Sequence, residues 1–222
     1  MPTVPEAIAI QQELRHKVRI EPFGKTPKLI GGADISMNWH ATESFGGIVV
    51  LGYGSLELKD HAVAKGEITF PYVPGLLSFR EVPLLLEAWN KLKLKPDVLV
   101  VDGTGIAHPR RIGIASHLGA TLDVPTIGCA KSVLTGVYEE PPMEVGAFTY
   151  LRDKKTDEIL GAALRTKLRA GPVFISPGHL ISLEESIEIM KHCMGKYRIP
   201  EPTRWAHNTV NEYRKKGHGT AW

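Results

Sequence analysis

The apolar residues of this chain repeat with two periods, and the changes of period mark out its elements. Over residues 5–20, Ile8, Leu14 and Val18 lie among Glu, Gln, Arg and Lys at helical spacing, and Pro22 and Pro27 end the segment. Segments 28–37, 45–52 and 55–64 read as strands, and Gly52-Tyr53-Gly54 is short enough to fold the last two into a hairpin. Residues 71–75, Pro-Tyr-Val-Pro-Gly, suit neither helix nor inner strand. Their two prolines fix φ and remove two amide donors, which leaves a stiff loop. A helix over 76–92 follows, with Leu85, Ala88, Trp89 and Leu92 as its buried stripe and Pro96 beyond its end. Residues 98–101 are apolar on both sides, as in a central strand covered on two faces. The rest of the pattern predicts a helix over 110–120 and a short strand over 124–128. Strands near 147–151 and 158–165 flank a charged turn, and another strand covers 173–176. Ser182 with Glu185 makes a capping-box start to a further helix, and a last helix begins near Pro202. The basic tail 214–218 is expected to fray.

Strands that pair first by hairpin and then alternate with helices predict a mixed sheet covered by helices. An antiparallel start with a parallel continuation is the order of ribonuclease-H-like folds, so that α/β class is expected. No repeat or linker interrupts the chain, and one domain is expected over 1–222, with its core at about 28–215.

Composition narrows the setting. A chain of 222 residues buries roughly 70% of its unfolded surface and needs no cross-links. Hydrophobic residues at 43% and charged residues at 23% are ordinary for a soluble protein. The net charge of +3 argues only weakly for a polyanionic partner. Cys129 and Cys193 stand apart with no Cys-x-x-Cys near either, which gives no zinc signature and suits a reducing compartment. The chain opens without a secretory pattern, and no apolar run nears the ~20 residues that cross a bilayer. A cytoplasmic monomer without a membrane partner is expected.

Three carboxylates occupy unusual positions. Asp34 lies inside the apolar run Leu29-Ile30-Gly31-Gly32-Ala33-Asp34-Ile35. An ionised acid there is costly unless paired or metal-bound, or unless the strand ends and turns it to solvent. Asp102 closes the 98–101 strand, where open α/β sheets bind their ligands, although Asp-Gly is also a common turn pair. Glu81 sits at the centre of the helical stripe and should face the protein. A competing reading makes Ser78-Phe79-Arg80-Glu81 a capping box, with Glu81 folded back on the Ser78 amide. Together the three acids make a hard, oxygen-rich set that suits Mg2+ or Mn2+ and phosphodiester hydrolysis.

Longer motifs carry a family resemblance. Pro71-Tyr72-Val73-Pro74-Gly75-Leu76-Leu77-Ser78-Phe79-Arg80-Glu81 and Val101-Asp102-Gly103-Thr104-Gly105-Ile106-Ala107-His108-Pro109-Arg110-Arg111-Ile112-Gly113 resemble the endonuclease V signatures. Gly128-Cys129-Ala130-Lys131-Ser132 and Gly32-Ala33-Asp34-Ile35-Ser36 match in the same way. The resemblance implies a ribonuclease-H-like, Mg2+-dependent endonuclease of DNA repair, with Mn2+ as substitute. It would cut the second phosphodiester bond 3′ to deoxyinosine, the product of adenine deamination. Asp34, Glu81 and Asp102 match the family's metal-binding acids, and His207 resembles its late, metal-proximal histidine.

The other matching residues have roles that physics can support. Tyr72 on its stiff loop would fill the gap left by an extruded base, with Pro71, Pro74 and Arg80 as neighbouring nucleic-acid contacts. An ordinary loop tyrosine packed on the core is the alternative. His108, Arg110 and Arg111 read as a cationic cluster that holds phosphates, or as a solvated turn. Lys131 would stabilise charge on the scissile phosphate, unless it is a plain surface lysine. Hypoxanthine offers an oxygen acceptor and an N1–H donor where adenine offers the reverse. Main-chain groups at Gly103 and Gly105 could read that difference at close approach.

Other function classes fit less well. A dinucleotide motif would need a third glycine at residue 108, which is His, and no Gly-x-Ser-x-Gly elbow marks a serine hydrolase. An inosine-specific endoribonuclease and a binding module for modified nucleic acid that does not cut remain as alternatives.

Overall fold

In the computed structural model, residues 2–37 and 43–217 are described. The elements run α1 (Val4–Arg15), β1 (Leu29–Met37), β2 (Glu43–Gly52), β3 (Leu58–Glu67), α2 (Ser78–Lys91), β4 (Val98–Val101) and α3 (Ile114–Leu122). They continue as β5 (Thr126–Ala130), β6 (Phe148–Arg152), β7 (Ile159–Leu164), β8 (Val173–His179), α4 (Leu183–His192) and α5 (Glu201–Gly217). One eight-stranded sheet has the order β3-β2-β1-β4-β5-β8-β7-β6. The first three strands are antiparallel, β4 and β5 continue parallel to β1, and β8, β7 and β6 return antiparallel. The fold is therefore the expected mixed sheet flanked by helices. Its antiparallel start and parallel continuation are as expected, but the antiparallel second half was not anticipated.

Helices cover both faces. Leu85, Ala88 and Trp89 of α2, with Leu92 just beyond its end, pack with Leu118 of α3 on Ile48, Val50, Leu99 and Val101. On the opposite face Ile189 and Met190 of α4 and Ala206 of α5 cover Ile30, Val49, Val98 and Val100. Strand alternation places Asp34 on the same face as Ile30, the face that carries α5. Gly32 makes this seat possible: a Cβ there would stand 1.9 Å from the Pro202 carbonyl oxygen.

Several boundaries differ from expectation for identifiable reasons. Helix α1 starts with a full Thr3–Glu6 capping box and ends at Arg15 rather than near 20, because the Arg19 backbone is bonded to His179 and Leu180 instead. Its buried residues are Ala7 and Gln11, not the expected apolar stripe. The β2–β3 turn runs to Glu57, with Leu56 at φ +55°, so β3 begins three residues late. Helix α3 begins at Ile114, not 110, since Arg111 sits at φ +59°, outside any right-handed helix. The capping box at Ser182 is present as expected. Helix α5 extends through Gly217, and His218 lies outside the described residues.

Arg165 ties down the segment before β6. It is 2% exposed, yet every guanidinium nitrogen is bonded. Nε reaches the Pro142 carbonyl and one Nη the Ala170 carbonyl, each at 2.8 Å. The other Nη meets the Pro141 carbonyl at 2.8 Å and Glu140 at 2.6 Å.

Candidate active site at the carboxyl edge of the sheet

The sheet itself brings two acids together. Ala33 pairs with Val101 across the parallel β1–β4 ladder, and the Asp102 amide donates to the Ala33 carbonyl at 3.0 Å. Asp34 and Asp102 thus follow side by side on adjacent strands, spaced by roughly 4.8 Å. Asp34 is 9% exposed. Its Oδ1 accepts from the Ile35 amide at 2.8 Å, and Oδ2 lies 2.8 Å from His207 Nδ1. Asp102 accepts from Lys131 Nζ, just beyond the end of β5.

Glu81 approaches from the first turn of α2. It is not a cap: the N-cap is Leu77, without a side-chain bond, and Ser78 Oγ lies 3.0 Å from His117 Nδ1. Burial, then the charges of Asp34 and Asp102, push the Glu81 carboxyl up to about 8 against the opposing pull of Arg80. Asp102 is raised by burial and then by Asp34, against Lys131. His207 is raised, first by its bond to Asp34. Burial works against the charge of Lys131, but Asp102 outweighs it and holds the ammonium above its ordinary value. Glu81 therefore senses the charge of both aspartates and Asp102 that of Asp34, while Asp102 is met by a lysine and Asp34 by a histidine.

As donors, Asp34, Glu81 and Asp102 form an all-carboxylate set, the chemistry that Mg2+ and Mn2+ accept. In the present arrangement, with Asp34 Oδ2 given to His207 and Asp102 Oδ2 to Lys131, no three ligating side chains among the described residues are drawn tightly enough to hold an ion.

The Pro71–Pro74 loop stands beside this edge. Its anchor is the Gly75 carbonyl, at φ +79°, which accepts from Gln11 Nε2 (3.0 Å), His108 Nε2 (3.0 Å) and Arg110 Nη2 (2.7 Å). Arg80 bonds the Phe70 carbonyl at 3.0 Å and lies 5.8 Å from the Tyr72 ring centroid. The ring itself is 72% exposed, so Tyr72 is not a core tyrosine. Pro71 and Pro74 are exposed with it.

This anchoring corrects the expected cationic cluster. His108 is 3% exposed, and its Nδ1 accepts from the Arg110 amide at 3.1 Å. Burial, helped by Arg110, depresses it to about 4, so it is neutral at physiological pH. Arg110 also bonds Gln11 Oε1 at 2.6 Å. Arg111 is taken up by Asp153 at 2.6 Å and Glu158 at 2.7 Å. These three residues brace loops instead of presenting free charge to a phosphate.

A cavity of about 330 Å3 opens between Tyr72, Pro74, Asp102, Gly103, His108 and Lys131. Gly103, at φ +149°, forms part of its wall, and its amide makes a weak 3.4 Å bond to the Cys129 carbonyl. Gly105 does not reach it. Its amide donates to Ser176 Oγ at 2.8 Å, and a Cβ there would meet the Pro177 carbonyl oxygen at 2.1 Å, so its role is close packing against β8.

Two residues escaped the sequence reading. Asn211 Nδ2 lies 3.0 Å from His207 Nε2 and its Oδ1 accepts from Ser36 Oγ at 2.7 Å, tying the histidine to β1. Their i, i+4 spacing on α5 was the available signal. Gln11 gave no signal at all, because its bonds reach across the chain to Gly75 and Arg110.

Comparison with known proteins agrees with this architecture. The Endonuclease V family model matches residues 12–208. The Endonuclease V of Dictyoglomus turgidum is 52% identical over 202 residues, covering 91% of this chain and 87% of the relative. The crystal structure of the Streptomyces avermitilis Endonuclease V superposes with a TM-score of 0.92 at 39% identity, covering 99% of this chain and 96% of that one. The Ciona intestinalis Endonuclease V, solved with a 24mer DNA containing an inosine followed by a ribo-adenosine, superposes at 0.83 with 30% identity, covering 96% and 98%. This chain belongs to the Endonuclease V family.

Proposed function

We propose that this protein is a metal-dependent repair endonuclease that hydrolyses the second phosphodiester bond 3′ to deoxyinosine in DNA. Family membership makes it an endonuclease and hence a hydrolase. The observation that carries the finer reading is that Asp34 and Asp102 stand side by side on β1 and β4, with Glu81 feeling the charge of both, beside a cavity walled by Tyr72 and Lys131. Asp34, Glu81 and Asp102 would hold Mg2+, or Mn2+ in its place. When bound, the cation supplies Lewis acidity at the scissile phosphate. Lys131 brings an ammonium to the same edge, where it meets developing negative charge. His207 orients Asp34 through their hydrogen bond. The exposed Tyr72 ring stacks into the gap left when the base enters the cavity.

The test is a nicking assay on an inosine-bearing duplex with and without Mg2+. Asp102→Ala is expected to lower nicking by ~10^3-fold, as loss of several kcal/mol of transition-state stabilisation implies, while duplex binding stays within a few-fold. Unmutated protein that binds but never nicks with Mn2+ present would instead make this a binding module. Tyr72→Ala is expected to weaken binding to the inosine duplex more than to an unmodified one. Equal losses on both duplexes would remove the wedge.

A second reading places inosine-containing RNA as the substrate. The ribo-adenosine after the inosine in the Ciona intestinalis complex favours it. Since the 2′-hydroxyl is what separates the two polymers at a site, kinetics on matched DNA and RNA strands decide between them.

A further inference from the structure

The carboxyl edge of the sheet does not stop at Lys131. Strand β8 lies antiparallel to β5, so the β7–β8 connection, residues 165–172, emerges at the same edge as Asp34, Asp102 and Lys131. That connection reads Arg-Thr-Lys-Leu-Arg-Ala-Gly-Pro, and the adjoining segment 194–198 reads Met-Gly-Lys-Tyr-Arg. Neither contains a carboxylate. Lys167, Arg169 and Lys196 are exposed.

The two segments are joined to each other and to the site. Arg198 donates to the Gly171 and Pro172 carbonyls, each at 2.8 Å, and to the carbonyl of Lys131 at 2.7 Å. Thr166 Oγ1 closes the loop by donating to the Arg198 carbonyl. One partly exposed guanidinium thus spends its donors on holding backbone, and three other cations are left outside it. Arg169 is held at φ +58°, a conformation that costs a non-glycine residue about 1 kcal/mol or more and that persists only where surroundings fix it. The basic surface ends at the neighbouring segment, which carries Glu139, Glu140 and Glu144, with Glu140 committed to Arg165.

We infer that Lys167, Arg169 and Lys196 form a backbone-tracking surface that binds the substrate's phosphates beyond the cleavage site, on the Lys131 side. The inference rests on the nuclease reading above. β8 lies next to β5 and β7 next to β8, so the connection between them spans about 5 to 10 Å from the strand that Lys131 follows. Contacts of this kind give affinity and register without reading sequence.

The test compares wild-type protein with the triple variant Lys167→Ala, Arg169→Ala, Lys196→Ala on an inosine-bearing duplex and on duplexes shortened from either end. The variant is expected to lose affinity on inosine and unmodified duplexes alike. Its dependence of log K on log salt should become shallower by roughly 2–3, since each phosphate contact contributes about 0.9. KM should rise with kcat unchanged. Wild type should weaken when one arm of the duplex is removed, and the variant should be indifferent to that same truncation. Wild type that nicks, together with a variant of unchanged affinity and salt slope, would overturn this surface and leave the nuclease reading intact. Wild type that neither binds nor nicks the inosine duplex would remove both.

Discussion

Glu81→Gln is expected to abolish nicking and at the same time to make the metal-free protein more stable. Mutations of buried groups usually destabilise, so the opposite sign is diagnostic. Glu81 is pushed up to about 8 by burial and by Asp34 and Asp102, whereas an unfolded glutamate ionises near 4.5. The folded state therefore binds the proton more tightly. The stability that this provides is complete below the unfolded value and is lost as pH rises through about 8. At pH 8 the ionised acid disfavours folding by a few kcal/mol, at ~1.4 kcal/mol per pKa unit. Glutamine has the same shape and no charge. The difference in unfolding free energy between variant and wild type should be small at pH 5 and grow to ~2–4 kcal/mol in favour of the variant at pH 8.

Using that difference cancels His108 and His117, which burial depresses to about 4 and whose contribution runs the other way, lost as pH falls below 6.5. Added Mg2+ or Mn2+ should recover the wild type at pH 8 and not the variant, by mass action on a site that the variant lacks. Nicking should fall by at least ~10^3-fold, since several kcal/mol of metal-derived stabilisation is lost and 1.36 kcal/mol is tenfold. Urea unfolding from pH 5 to 8 and single-turnover nicking supply the measurements. A variant less stable than wild type at pH 8 without metal would mean that Glu81 does not sense the charge of Asp34 and Asp102 in the folded state.

Arg165→Met should give the largest loss of stability away from the site. Four acceptors converge on this guanidinium: the carbonyls of Pro141, Pro142 and Ala170, and Glu140. Methionine fills much of the volume and satisfies none of them. An unsatisfied buried carbonyl costs about 1–3 kcal/mol, and of these acceptors only the Pro141 carbonyl is fully buried while Pro142, Ala170 and Glu140 can regain water in part, so ~3 kcal/mol is expected. For a chain of this size that is about 10 °C in Tm. Arg165→Lys should recover only part, because one ammonium cannot present the planar fork. The loss should appear in thermal unfolding, with nicking per folded molecule nearly kept. A Tm within 2 °C of wild type would show that water replaces these bonds freely.

How much of this was legible depends on the range of the forces involved. Local patterning placed β1, β2, α2 and β4, and the stripe through Leu85, Ala88 and Leu92 correctly turned Glu81 inward. The capping box at Ser182 was visible because it needs only four consecutive residues. The similar pattern at Ser78 failed because Ser78 Oγ is bonded to His117, thirty-nine positions away. His108 looked like an exposed cation next to two arginines. The fold buries it against Gly75, and no local rule foresees that contact. Gly105 looked like a place for a ligand to approach, whereas Ser176 and Pro177 of β8 come there instead. The β8-β7-β6 half of the sheet was hidden in the same way: short strands advertise their existence but not their neighbours.

The empty side of Gly32 reaches further than its size suggests. Because the Pro202 carbonyl rests where a methyl would be, α5 and β1 meet backbone to backbone. Five residues along that helix, His207 comes down onto Asp34 at 2.8 Å. An alanine would lift the helix by about an ångström, which is the margin between a hydrogen bond and a gap. The length of the Asp34–His207 hydrogen bond in the candidate site is thus governed by a residue that has no functional group. A map of mutational sensitivity in this protein would mark position 32 as though it were catalytic.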